Sequence, residues 1–236
     1  MTGRTLLILA AWLAAAPALA QTAPAQSAPG PNGFSSTGQP GDFEVTGKTY
    51  VVNGYLSARW GMTPSEARAA AAKDFPGAEV GKDVVDPVSR TTIFVVAVPH
   101  LGPGPGTAAV SYVFGANSTR LIHVNIDWQI ADANVNDRLA MTVAGSRVVQ
   151  DFIGYYWKLL SVARGVPIGP NSLLLFGAQG DAGGSVEVQL QGVAYSAQTA
   201  KGTVQSPPPK GMVLLHIGFA PANGDADVYK IKPGEF

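Results

Sequence analysis

Along this chain the apolar residues cluster in runs of strand length, broken by glycine and proline, and fall into helical spacing at two places only. The first is announced by its cap. Thr63-Pro64-Ser65-Glu66 puts a hydroxyl at the N-cap, proline at the first helical position and glutamate at the third, ahead of the alanine run Ala67 to Ala72. Phe75-Pro76-Gly77 stops that helix. Before it, Thr49 to Val52 is β-prone and leads into the turn pair Asn53-Gly54. After it come three strands: Thr91 to Val98, Ala108 to Phe114 and Leu121 to Trp128, the last two joined through Gly115-Ala116-Asn117.

The second helical stretch runs from Asn136 to Ala163. Leu139, Val143, Val149, Phe152, Ile153, Tyr156, Trp157 and Leu160 recur at steps of three and four, and Arg164-Gly165-Val166-Pro167 ends the run. Strands resume at Ser172 to Ala178, Ser185 to Gln191 and Met212 to Phe219, with a loop over Ala197 to Lys210 and an edge strand over Asp227 to Ile231. Both halves therefore read helix, then antiparallel strands, then an aliphatic strand carrying a histidine. Leu121 to Ile126 lies over Leu214 to Phe219, the pattern of a duplicated unit. The expected fold is α+β: one antiparallel sheet, two helices on one face, and units over 48–131 and 132–236.

The first forty-seven residues belong to neither unit. Arg4, the apolar run Leu6 to Ala16 and Ala18-Leu19-Ala20 make a secretory leader over 1–20, too short to span a bilayer. Residues 21–47 are rich in Ala, Pro, Gln, Ser, Thr and Gly and poor in branched aliphatics, the composition of a disordered linker. The whole chain carries 16 basic and 16 acidic residues, so loss of Arg4 with the leader leaves 15 against 16. A balance this even argues against a nucleic-acid partner, which needs a basic stripe. Cysteine is absent, which removes disulfides, thiolate chemistry and a lipidated N-terminus and suits a bacterial periplasm or secreted setting.

Trp60-Gly61-Met62-Thr63-Pro64-Ser65-Glu66 resembles the aromatic-Gly-Met-Thr-x-x-Glu opening of small exported helix-plus-meander domains, among them the β-lactamase inhibitory proteins and the BamE-type lipoproteins. Tyr112-Val113-Phe114-Gly115, followed by Leu121 to Trp128, is similar to their strand pairs. The anchoring cysteine of the lipoproteins and the disulfides of the inhibitory proteins are missing. The resemblance implies a binding surface and not a catalyst; taken with the leader and the even charge, it makes another envelope protein the expected partner.

Strand alternation places Leu121, His123, Asn125 and Asp127 on one face and Ile122, Val124, Ile126 and Trp128 on the other. His123 and Asp127 are separated by about 13 Å along such a strand, too far to share a metal, so a metal or proton-transfer site requires His216 from the matching strand. The candidate binding residues are accordingly Tyr112, His123, Asn125, Asp127 and His216, on an open sheet face. No nucleophile elbow, His-Glu-x-x-His, EF-hand or dinucleotide motif is present, and no cofactor or catalytic set is expected. Prolines interleave Gly102, Gly104 and Gly106, which removes the N–H groups a phosphate loop needs. Asp225 and Asp227 beside Gly224 read as an acidic turn. The leading expectation is a non-enzymatic interaction module. A histidine-dependent hydrolase or metal enzyme using His123, Asp127 and His216, and a small-molecule or lipid carrier, are the alternatives.

Overall fold

The computed structural model describes residues 47–199, 202–222 and 224–230; the leader and residues 21–46 of the linker lie outside them. A short ribbon, β1 (Gly54–Tyr55) and β2 (Ala58–Arg59), precedes α1 (Pro64–Asp74). Then come β3 (Glu79–Val80), β4 (Val84–Val85), β5 (Thr92–Val98), β6 (Ala108–Phe114) and β7 (Leu121–Ile130). The second half holds α2 (Val135–Ile153), β8 (Ala163–Gly169), β9 (Ser172–Gln179), β10 (Ser185–Gln191), the ribbon β11 (Ser196–Thr199) and β12 (Gly202–Gln205), and β13 (Val213–Ala220). A 3-10 turn, Gly224–Asp227, follows.

One antiparallel sheet of nine strands organises all of this, in the order β3-β5-β6-β7-β13-β10-β9-β8, with β4 also on β5. The halves meet where β7 pairs β13, placing Asp127 opposite His216 and Asn125 opposite Gly218. Both helices cover the same face. Against it point Phe94, Val110, Tyr112, Ile126, Trp128, Val188, Leu215 and Phe219, all buried. Aromatic rings fill the layer beneath the helices: Phe94 stacks on Tyr112 at 4.8 Å, and Phe152 stacks on Phe176 at 5.7 Å.

The first helix forms as its sequence dictates. Thr63 Oγ1 accepts from the Glu66 N–H at 3.3 Å, and Glu66 Oε2 accepts from the Thr63 N–H at 2.8 Å, closing the capping box. The second helix departs from expectation. Its last helical residue is Ile153, ten short of the expected Ala163, and the Phe152 carbonyl is capped by the Trp157 indole N–H at 3.0 Å. Residues 163–169 become edge strand β8 instead. Its buried stripe is Met141, Ala144, Val148 and Phe152, whereas Leu139 and Val143 are exposed. Gly145 decides this: a methyl there would lie 2.6 Å from Leu175 Cδ1, so the glycine side is the one that can approach the sheet. Trp157 packs on Tyr50 and Phe176, but Tyr156 is 53% exposed and not part of the core.

Other local expectations also change. Thr49 contributes only an isolated bridge to Tyr156 in place of a strand over 49–52. The loop over 197–210 contains most of the β11–β12 ribbon. Residues 227–230 form no strand, and residue 231 lies outside the described residues. Asp227 instead latches the far hairpin: Oδ1 accepts from the Asn117 N–H at 2.9 Å and Oδ2 from the Ser118 N–H at 3.1 Å. These bonds, with one to the Ser118 side chain, hold its carboxyl down at about 2.

Candidate functional site

The sheet face away from the helices carries the polar residues. Cross-strand register lays them in rows. One row reads Ala97, Ala109, Asp127, His216, Gln189 and Leu174, and the next reads Val95, Ser111, Asn125, Gly218, Glu187 and Gly177. In the first row a polar centre is thus flanked by aliphatic side chains at both ends, and none of the positions in either row holds lysine or arginine.

At the centre sits His216, its side chain 18% exposed. Its Nδ1 is 2.7 Å from Asp127 Oδ1, and its Nε2 is 3.6 Å from Glu187 Oε1. Burial alone would push the imidazolium's pKa down. The hydrogen bond to Asp127 and the close pairing with Glu187, with the charge of both, more than offset that and raise it to about 9. Glu187 is reciprocally lowered, chiefly by its bond to His216 against the cost of burial, with help from Gln189 and the field of His123. At neutral pH the group is therefore an imidazolium between two carboxylates. Gly218 makes the approach possible, because a methyl there would come within 3.1 Å of both His216 Nε2 and Glu187 Cγ.

The sequence-predicted residues separate. Asp127 and His216 come together as a hydrogen-bonded pair, and Asn125 lies in the adjoining row. His123 shares the face but is four residues up the strand from Asp127, near Val113 and the turn at Gly224, where a methyl would lie 2.9 Å from its Nε2. Tyr112 does not belong to this face. It pairs with Val124, is 0% exposed, and stacks on Phe94 beneath α1. Leu121 is displaced for a related reason. A register shift next to Phe114 pairs Phe114 with Leu121 and Val113 with His123, turning Leu121 into the core.

Glu187, Gln189 and Gly218 were missed by the sequence reading. The first two alternate with Val186, Val188 and Leu190, a half-buried strand signature that marks an exposed polar edge without saying which histidine it will meet.

What can this arrangement do? A general base must present an unprotonated ring nitrogen to its substrate. His216 is held protonated, and the nitrogen not bound by Asp127 faces Glu187. Metal ligation needs donors converging on one point, yet the two carboxylates lie at opposite nitrogens of the ring. Among the described residues no group of three or more His, Cys, Asp or Glu is placed to hold a metal ion. Space between sheet and helices is occupied by the aromatic layer, and an open groove of about 470 Å³ lies instead outside the start of α2, beside Val135, Arg138 and Lys210. Arg138 there is spent on structure, donating to the carbonyls of Ala133 and Gly211 at 3.0 and 2.8 Å. No family model matches the chain, and no similar protein was found among curated sequences or solved structures.

Proposed function

We propose that the protein is a non-enzymatic binding module, exported to the bacterial envelope or beyond, that docks a protein partner on the uncovered sheet face. The observation that carries this reading is the clamped imidazolium. A histidine hydrogen-bonded to a carboxylate at one nitrogen and ion-paired with a second at the other is a poor proton carrier but a well-held, charged marker in the middle of the sheet face. Such a polar centre with apolar surroundings suits recognition of another surface. Export rests on the leader-like residues 1–20.

The test is affinity capture from envelope extract with the wild-type chain and with Asn125→Arg and Gln189→Arg as parallel baits. Both substitutions put bulk and charge on the face without touching the core. A partner held by wild type and lost with both variants, then bound directly as a purified protein, supports the proposal. A partner retained by all three baits removes the face from the argument. The hydrolase alternative draws on the 2.7 Å Asp127–His216 pair; turnover of ester or peptide substrates that vanishes in His216→Gln would establish it and overturn the binding reading.

A further inference from the structure

The two most exposed large apolar side chains among the described residues lie elsewhere, at the turn that leads into edge strand β8. Leu159 is 86% exposed and Leu160 97%, and Val162, Val166 and Ile168 follow at 43%, 41% and 44%. Two neighbouring leucines held in water at these levels give up favourable burial. They are also not at the tip of a loose loop. The Lys158 N–H donates to the Gln179 carbonyl at 2.8 Å, the Ser161 N–H donates to the Lys158 carbonyl at 3.1 Å, and the Ser161 hydroxyl accepts from the Gln179 N–H at 3.0 Å. Leu160 itself takes φ 63, a left-handed conformation that bulky residues avoid. The turn is pinned to β9 in a shape that points leucine outward.

Charge identifies what this turn meets. From Phe152 to Gly180 the chain carries Lys158 and Arg164 and no acidic residue, and both cations are exposed on either side of the leucines. Tyr156, 53% exposed, stands just before them. Leucines at the tip, flanking cations and an amphipathic aromatic beside them match the chemistry of a bilayer's acyl boundary, anionic headgroups and interface. We propose that the Lys158–Arg164 turn inserts into the surface of an anionic phospholipid bilayer and seats the protein there peripherally. This is independent of the sheet-face proposal. It is compatible with the lack, among the described residues, of a helix long and apolar enough to cross a membrane.

The chain has no cysteine, so a single introduced thiol reports one position. Full-length protein carrying Leu160→Cys, labelled with nitrobenzoxadiazole, is mixed with vesicles of phosphatidylglycerol and phosphatidylcholine containing doxyl-lipid quencher. Ser146→Cys, on the exposed side of α2, is the control. The expected result is a blue shift and quenching at position 160 and neither at 146. Partitioning should fall about fivefold for Lys158→Gln or Arg164→Gln at low salt and at least about tenfold for Leu159→Ser with Leu160→Ser. All four altered side chains are exposed, and unchanged far-UV circular dichroism checks that each variant folds. A label at 160 that stays in water, including when the protein binds vesicles through another segment, overturns the proposal. So does shielding of the label by concentration-dependent self-association without lipid, which would make the turn a contact between copies.

Discussion

Raising the pH through 9 should unfasten the centre of the sheet, because His216 is protonated there at neutral pH and an isolated histidine is not. Its pKa stands at about 9 against an ordinary value of 6.5. At about 1.4 kcal/mol per unit, that gap corresponds to a contribution of about 3 kcal/mol to folding. The sign follows from the direction. A folded-state pKa above the unfolded one gives stability that is complete below about pH 6.5 and disappears as the pH climbs through 9. Glu187 acts in the opposite sense: its lowered pKa contributes only above the ordinary carboxylate range and is lost on acidification. The assay is urea unfolding of wild type and His216→Gln at pH 6, 8 and 10. Ionisable groups other than His216 are common to both proteins, so their contributions cancel in the difference. The stability gap should shrink by about 3 kcal/mol between pH 6 and 10, and the His216 ring resonances should titrate near 9. A gap constant across that range, or a ring titrating near 6.5, would refute the clamped-imidazolium argument.

Three substitutions probe the scaffold around it. Gly218→Ala should cost about 1 kcal/mol and lower the His216 titration point, since the added methyl at 3.1 Å pushes Glu187 off the ring; ring titration by NMR reads it. Gly145→Leu should cost about 1–3 kcal/mol by overpacking α2 against Leu175 and Leu215, seen as a shifted urea midpoint. Thr63→Ala should remove about 1 kcal/mol with the capping box, and amide exchange should speed up in the first turn of α1 ahead of the rest.

Much of the fold could be read from local chemistry, and the failures have identifiable physical causes. The capping box of α1 appeared as written because every bond in it lies within four residues. Strands β6 and β10 matched residue for residue, since alternation bounded by turn residues is also local. The end of α2 was misjudged because its cap is an indole from Trp157, and a side chain that folds back cannot be told by spacing from one that continues a stripe. The buried side of that helix was misassigned for a different reason. Leu139 and Val143 are larger than Ala144 and Gly145, but closeness to the sheet rewards the smaller pair. At the site, Asp127 and His216 were both picked out, yet their pairing depends on register between strands nearly ninety residues apart. Tyr112 was misplaced because alternation along one strand does not say which face a neighbouring strand shares with it. Gly218 and Glu187 carry no motif at all.

The order of strands also bears on how the molecule is made. The middle of the sheet is the β7–β13 pair, and β13 comes after every other strand among the described residues in chain order. Until it arrives, β7 and β10 are bare edges rich in valine, isoleucine and leucine, surfaces prone to pair with other chains. The central pairing of the sheet thereby waits on a strand that follows all the others it joins. Any product truncated before Val213 is a candidate for aggregation and degradation.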